Sequence, residues 1–480
     1  MTKHLDIDTK AMRAKILDLA IRGKLTDQRQ EDGNAWDLLK EIQAEKERLI
    51  KEKKIKKEKP LPEIAEEEKP FEIPENWEWV RLGEIIELQS GQDFPKSKYS
   101  DTDKEGIPYI TGASCFTKNG VLENRWTRFP KCIATKGDIL LVCKGSGYGK
   151  ITICNLQEAH IARQIMAIKR NKYLNLSYIE SFLMARIKLI KENGQGLIPG
   201  ISRDIVLNLL FPLPPLAEQQ RIADKVSALF AQLDVIDKAY EEYQELQQAM
   251  KDKLLDLAIQ GKLTDQRQED GDARDLLKEI QAEKEKLIKE KKIKKEKPLP
   301  EIEADEIPFE IPKNWTWVRI NDLFDVARGG SPRPIKAFLT EDLHGINWIK
   351  IGDTEIGGKY IYHVKEKIKP EGLKKSRFVK NGDLLLTNSM SYGRPYILKT
   401  DGCIHDGWLV LSPFIYSLNK EFFYYLISSQ YVKREFTKTA VGAVVKNLNK
   451  NKVKAIIIPL PPLAEQKRIV AKMDELLPLL

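Results

Sequence analysis

From residue 222 onward the apolar positions recur in alternating steps of four and three: Ile222, Val226, Leu229, Leu233, Ile236, Tyr240, Tyr243, Met250, Leu254 and Leu257, with one polar break at Gln247. This is a heptad seam. Pro214 and Pro215 with Glu218 mark its start and Gly261 its end, so the spacing predicts one helix over about 216–259. At ~1.5 Å per residue it spans roughly 65 Å, too long for the interior of one compact domain. Such a helix needs a partner along its length.

The chain repeats itself. Leu17–Ile64 and Leu255–Ile302 match at an offset of 238 residues with four differences in 48 positions: Arg22 against Gln260, Asn34 against Asp272, Trp36 against Arg274 and Arg48 against Lys286. The register continues into FEIPENWEWVRL (Phe71–Leu82) and FEIPKNWTWVRI (Phe309–Ile320), each an X-Pro-bounded lead-in to a strand-like run. A second block, FPLPPLAEQQRIADKV (Phe211–Val226) and IPLPPLAEQKRIVAKM (Ile458–Met473), matches at an offset of 247. Between these blocks only traces survive, such as Gly137-Asp138 against Gly382-Asp383.

The ends of the chain share the seam. An offset of 247 places Ile469, Met473, Leu476 and Leu480 on Ile222, Val226, Leu229 and Leu233, and an offset of 238 places Leu5, Thr9, Met12, Ile16 and Leu19 on Tyr243, Gln247, Met250, Leu254 and Leu257. Together the termini rebuild the central helix with five positions missing. The expectation is a spliced second rod, with Leu480 near Met1, lying antiparallel to the central one. A further helix is expected after each GKLTDQRQEDG turn, from Asp37 to about Glu58 and from Asp275 to about Glu296, ending before KPLPEI because proline bars continuation.

Each variable region mixes short β-rich runs (Ile139–Cys143, Ile151–Cys154, Leu384–Thr387, Trp408–Leu411) with helical stretches near Ser177–Lys191 and Lys420–Phe436, which predicts α+β domains. The fold class is therefore α+β: two α+β domains separated by two long antiparallel coiled-coil helical regions, with a pseudo-two-fold internal repeat. The divisions fall at 1–70 (helical), 71–211 (first α+β domain), 212–308 (central helical region), 309–458 (second α+β domain) and 459–480 (C-terminal helix).

Composition narrows the chemistry. Charged residues make up 31% and no run approaches the ~18 apolar residues of a membrane span, so a cytoplasmic protein is expected. Eighty Lys and Arg against 71 Asp and Glu give +9, which permits a polyanionic partner without requiring one. Cys115, Cys132, Cys143, Cys154 and Cys403 form no CxxC pair and read as reduced fillers, with no metal implied.

Glycine-dense loops carry the candidate contacts: SGQDFPKSKY (Ser90–Tyr99), KGSGYGK (Lys144–Lys150) and NGQGLIPGISR (Asn193–Arg203) in the first domain, and RGGSPRPIKAF (Arg328–Phe338), NSMSYGR (Asn388–Arg394) and AVGAVVKNLN (Ala440–Asn449) in the second. Such loops suit close approach to a phosphate backbone, with side chains available for base edges. Catalytic patterns are absent: Gly145 and Gly149 are one residue too close for a phosphate-binding GxxxxGK[ST], and no GxSxG, HExxH or Asn-Pro-Pro-aromatic motif occurs. His160 and His405 stand in comparable places after strand-like runs and read as core or loop histidines.

With both PLPPLAEQ blocks (Pro212–Gln219, Pro459–Gln466), both IPxxWxW lead-ins (Ile73–Trp79, Ile311–Trp317), GGSP (Gly329–Pro332) and IKIGD (Ile349–Asp353) in order, the chain resembles the specificity subunit of type I restriction-modification systems over essentially its whole length. The resemblance implies a non-catalytic subunit without cofactor. Two target-recognition domains would each read half of a bipartite, asymmetric site on double-stranded DNA, while the helices space them and dock two methyltransferase (modification) subunits. Restriction subunits would join that core, with no membrane involved. The candidate DNA contacts are Lys144, Ser146, Tyr148, Lys150, Arg163, Gln164, Gln195 and Arg203 in the first domain, and Arg328, Ser331, Arg333, Lys350, Asn388, Tyr392, Arg394, His405, Lys446 and Asn447 in the second. The alternative is a coiled-coil protein-interaction scaffold without sequence-specific DNA binding.

Overall fold

A computed structural model describes residues 7–117, 120–145, 147–193, 200–355, 357–388, 393–441 and 447–480. Four candidate contacts, Ser146, Gln195, Tyr392 and Lys446, lie outside the described residues, as does Met1, so its expected proximity to Leu480 does too. The chain divides into two compact units, Met1–Glu241 and Glu242–Leu480.

The central helix runs from Leu216 to Ile259, as the seam predicts. In the first unit the N-terminal helix Thr9–Ile21 lies antiparallel to its first half. Thr9 Oγ1 donates to Asp237 at 2.6 Å, Arg13 pairs with Asp234 and Asp237 at 2.7 and 2.9 Å, and Gln28 reaches Glu218 at 2.7 Å, so the partner descends as the helix climbs. In the second unit the C-terminal helix Leu463–Leu476 is likewise antiparallel, Glu465 meeting Gln266 at 2.6 Å while the carbonyl of Leu480 accepts from Gln247. The polar break in the seam is thus where the last residue lands. Ile222, Val226, Leu233 and Leu255 are buried, and Leu229, Ile236, Leu254 and Leu257 are half-buried. Tyr240, Tyr243 and Met250, expected in the seam, are instead exposed.

The second helix of each repeat, Ala35–Lys51 and Ala273–Lys289, ends about seven residues before the limit that the prolines of KPLPEI set. Lys53 and Lys291 adopt left-handed backbone (φ +58°), and Lys54 and Lys292 donate back to the carbonyls of Leu49 and Leu287 at 2.9 Å. The reversal brings Ile293 onto the core of its unit, a burial that a straight helix would forgo. These helices lie on the α+β domains: Lys46 Nζ donates to Gly83 O at 2.6 Å and Lys284 Nζ to Asn321 O at 2.7 Å. Of the differences between repeats, two preserve function: Asn34 and Asp272 both cap the helix that follows, and Arg48 and Lys286 both pair with the glutamate three residues back.

Each α+β domain is closed by a strand pair built from repeated sequence, Glu78–Arg81 against Leu210–Leu213 and Thr316–Arg319 against Ile457–Leu460, both antiparallel. Inside the first, one sheet orders Leu88–Ser90, Ile165–Ile168, Ile139–Val142 and Ile151–Ile153, and the other orders Trp126–Thr127, Ile107–Ile110, Glu158–Ile161 and Ile133–Thr135. The second domain repeats this plan with five strands in each sheet. The helix Leu176–Asn193 matches expectation, whereas the stretch near 420–436 is two helices, Lys420–Ser428 and Gln430–Thr439, broken where Ser429 turns extended.

The repeated motifs meet at one buried carboxylate per unit. Glu218 accepts from Trp77 Nε1 (2.8 Å), Gln28 Nε2 (2.7 Å) and Thr26 Oγ1 (3.3 Å), and Glu465 accepts from Trp315 (2.7 Å), Gln266 (2.6 Å) and Thr264 (3.2 Å). One turn on, Arg221 holds Asp32 through two hydrogen bonds (2.7 and 2.6 Å), and Arg468 holds Asp270 the same way (2.5 and 2.6 Å). Gly23 and Gly261 sit where an added Cβ would lie 2.4 Å from Pro74 and Pro312, so the turn, the IP lead-in and the tryptophan close on one another.

Glu218→Ala removes three accepted bonds from a buried site and is expected to cost about 3 kcal/mol, with Glu218→Gln costing less; urea unfolding of the two variants checks this. Arg221 and Arg468 hold the Asp32 and Asp270 carboxyls below the usual aspartate range, chiefly by side-chain hydrogen bonding. A lowered folded value means stabilisation that is complete above the unfolded value near 3.8 and is lost as pH falls through the folded value. Acid titration of the unfolding free energy should show this loss beginning below about pH 4, and Asp32→Asn should reduce it.

Candidate nucleic-acid interface

In each α+β domain a three-residue turn joins the two sheets: Ala162–Gln164 between Glu158–Ile161 and Ile165–Ile168, and His405–Gly407 between Gly402–Ile404 and Trp408–Pro413. The glycine loop that follows the strand Leu88–Ser90 in the first domain and Phe324–Arg328 in the second folds over this turn. Gly91 N donates to Ile165 O (3.0 Å) and Gln92 N to Ile161 O (3.0 Å); Gly329 N donates to Trp408 O (2.9 Å) and Gly330 N to Ile404 O (3.1 Å). A Cβ on Gly91 or Gly329 would lie 2.1 or 2.0 Å from a carbonyl oxygen of the turn, so the approach requires glycine. The next loop also docks here, Cys143 N donating to Gln164 O and Asn388 N to Gly407 O, both at 2.7 Å.

Several candidate contacts from the first domain gather around this point. Lys144 is exposed and forms a β-bridge with Gly200, Lys150 is exposed, and the half-buried ring of Tyr148 carries the Lys191 ammonium 5.2 Å from its centroid. Arg163 is exposed and pairs with Asp93 at 2.7 Å, while Gln164 is half-buried beside Gly112. Arg203 is tied into the fold. Its guanidinium donates to Leu88 O and to Glu58 in the basic strap after the second helix, so it ties the strap to the domain and does not join the loop cluster.

In the second domain Ser331 Oγ donates to Asp406 Oδ1 at 2.7 Å, Arg328 Nε donates to Asp406 O at 3.1 Å, and Arg333, 84% exposed, lies 3.8 Å from the same carboxylate. Lys350 pairs with Glu366 at 2.5 Å and Arg394 is exposed. Asn388 is buried beneath the turn, its Nδ2 within 3.5 Å of Asp406 O and its Oδ1 without a hydrogen-bond partner among the described residues. Asn447 sits in a short strand whose neighbour Leu448 donates to Asn388 O at 3.1 Å.

The two histidines are not equivalent, which corrects the expectation that they occupy comparable places. His160 pairs with Tyr109 in its sheet, and the residue holding that position in the second domain is Cys403, paired with Trp348. The offset drops from 245 at Gly137-Asp138 to 244 at the strand pair Ile151–Ile153 and Pro395–Leu398 and to 243 at the turn, because the loops before and after that strand are each one residue shorter in the second domain. His160 is a buried strut: Nε2–H donates to Gln92 O at 2.7 Å, Nδ1 accepts from Cys132 N at 3.2 Å, and Phe94 stacks on the ring at 4.2 Å. His405 Nδ1 accepts from Gly407 N at 2.8 Å, which makes it a brace of the turn. Burial lowers the pKa of both rings, keeping them neutral near pH 7. Asp93 and Asp406 are not among the residues that the sequence singles out, because a polyanionic partner favours cations. Their signal was position, each lying within two or three residues of a loop glycine or a singled-out histidine.

The cysteines are free, with Cys115, Cys143, Cys154 and Cys403 buried and Cys132 partly so. Among the described residues no group of His, Cys, Asp or Glu is arranged to hold a metal ion, and no helix is long and apolar enough to cross a membrane.

The family model for the type I restriction modification DNA specificity domain matches this chain twice, over residues 74–245 and 312–478. The chain belongs to that family, as a DNA-recognition subunit that does no bond chemistry itself. It is 30% identical over 98% of its length to the type I restriction enzyme EcoAI specificity subunit of Escherichia coli, of which 89% is covered, and 28% identical over 97% to the EcoEI specificity subunit of the same organism, of which 88% is covered. A solved chain described under complex assembly and conformational transition of the type I R-M system shares the fold, with a TM-score of 0.57 at 22% identity, covering 85% of this chain and 91% of that one.

Arg203→Ala is expected to cost about 1–3 kcal/mol by leaving the carbonyl of buried Leu88 without its donor, whereas Arg163→Ala, at an exposed pair, should stay within about 0.5 kcal/mol. Chemical denaturation of the two variants separates a structural arginine from one available to a ligand.

Proposed function

We propose that the two α+β domains read two different short sequences separated by a fixed spacer on one duplex, and that the helical frame docks two copies of a methyltransferase subunit, which restriction subunits then join in the cytoplasm. The observation that carries this reading is the contrast between frame and loops. Forty-four of 48 frame positions are the same in both repeats, and the carboxylate clasp recurs, while most side chains of the loops over each turn differ. Identical partners need equivalent surfaces, so the frame is held constant; different half-sites need different readers, so the loops are not.

The lysines and arginines around each turn, Lys144, Lys150, Arg163, Arg328, Arg333, Lys350 and Arg394, supply phosphate and base-edge donors. By helical geometry two readers on one face of B-DNA engage sites about one turn, ~10 bp, apart centre to centre. The scaffold reading without DNA affinity is not favoured, because both variable regions match the DNA specificity domain.

Mapping methylated positions in a cell carrying this chain and its methyltransferase partner should return one bipartite, asymmetric motif. Inserting two base pairs into its spacer should abolish methylation of a plasmid-borne site; methylation indifferent to spacer length would overturn the fixed-separation reading.

A further inference from the structure

The turns Ala162–Gln164 and His405–Gly407 share one main-chain frame. The flanking ladders put Ile161 and Ile404 opposite Ile110 and Ile349, and each turn closes on itself, Ile165 N donating to Ala162 O (2.9 Å) and Trp408 N to His405 O (3.1 Å). The same glycine-loop and second-loop hydrogen bonds reach both. Arg163 and Asp406 therefore hold the same position, and so do the loop residues that brace them, Asp93 and Ser331. In the first domain Asp93 accepts from Arg163 N (3.1 Å) and pairs with its guanidinium; in the second, Ser331 donates to the Asp406 carboxylate.

We propose that Arg163 and Asp406 are the matched base-reading residues of the two domains, with opposite polarity: Arg163 addresses the acceptor edge of guanine and Asp406 the amino group of cytosine. This rests on the DNA-recognition reading above and assigns its specificity determinants.

The sign reversal carries the argument. A residue that positions a domain on DNA meets the phosphate backbone, which is negative whatever the sequence, so it should be cationic or neutral in both copies. A position whose backbone is retained while its charge inverts follows something that differs between half-sites, and only the base edges do. In the major groove guanine offers two acceptors, which suit an arginine, and cytosine offers an amino donor, which suits a carboxylate. Asp406 is ionised and held low by Ser331, and it stands beside Arg328 and Arg333, which offset its repulsion from phosphate. Ser331 occupies one of its acceptor directions, and at 46% side-chain exposure the carboxylate remains open to a ligand. Arg163 is 70% exposed.

The test uses the full chain with its methyltransferase subunits, a plasmid library randomised in both half-sites, and methylation read by sequencing. Arg163→Gln should relax a guanine preference at one position of one half-site by roughly 5- to 150-fold, the discrimination of a good bidentate contact, leaving the other half-site unchanged. Asp406→Asn should act likewise on a cytosine in the other half-site. The transplant Ser331→Asp with Asp406→Arg should convert that cytosine preference to guanine. If the wild-type complex yields no bipartite motif, the DNA-recognition reading itself fails. If it does and the single variants keep both half-site preferences, or lose methylation uniformly across the library, the assignment of Arg163 and Asp406 is overturned. A transplant that folds, shown by an unchanged unfolding midpoint, and still selects cytosine overturns it too.

Discussion

The carboxylate of Glu218, and its copy at Glu465, is the constraint around which each half of the molecule is organised. A charged group out of water is costly unless its acceptor directions are filled, and here they are filled from two separate stretches of chain: the tryptophan of the strand lead-in, and the glutamine and threonine of the inter-helix turn. Burial raises both carboxyls against the lowering effect of those three donors. The clasp fixes where the long helix begins, how the preceding turn lies on it, and the direction in which the chain enters the α+β domain. The next residue extends it, since Gln219 and Gln466 donate to Pro214 and Pro461 while their carbonyls accept from Asn175 and Asn419. A motif such as PLPPLAEQ is thus a joint with a defined set of partners.

Much of this was legible in the sequence because it was written twice. The seam, the helix bounds at 216 and 259, and the antiparallel course of the terminal helices all follow from periodicity and two offsets. What escaped was decided by tertiary partners that periodicity does not encode. The second helices stop at Lys51 and Lys289, where Lys53 and Lys291 reverse the chain and Ile293 packs on the core of its unit, and Tyr240, Tyr243 and Met250 keep the heptad spacing but are exposed.

The candidate site was legible as a set of loops but not residue by residue. Loop composition located Ser331 and Arg328, yet could not distinguish them from Arg203, whose guanidinium bonds within the fold. His160 and His405 do not correspond because two loops between Asp138 and the turn are each one residue shorter in the second domain, and only strand register shows where. The acids at 93 and 406 became visible once the loops they brace were seen together.

The two turns are anchored largely through main-chain atoms and through glycines that admit no side chain, with Asp93, Ser331 and His405 adding side-chain braces. Support and message are consequently carried by different atoms: the amides and carbonyls bear the mechanical load, while the outward side chains are under little structural obligation. A single codon change at such a position alters what the surface says without asking the fold to re-form, so the architecture is tolerant to mutation at the place where novelty would matter most.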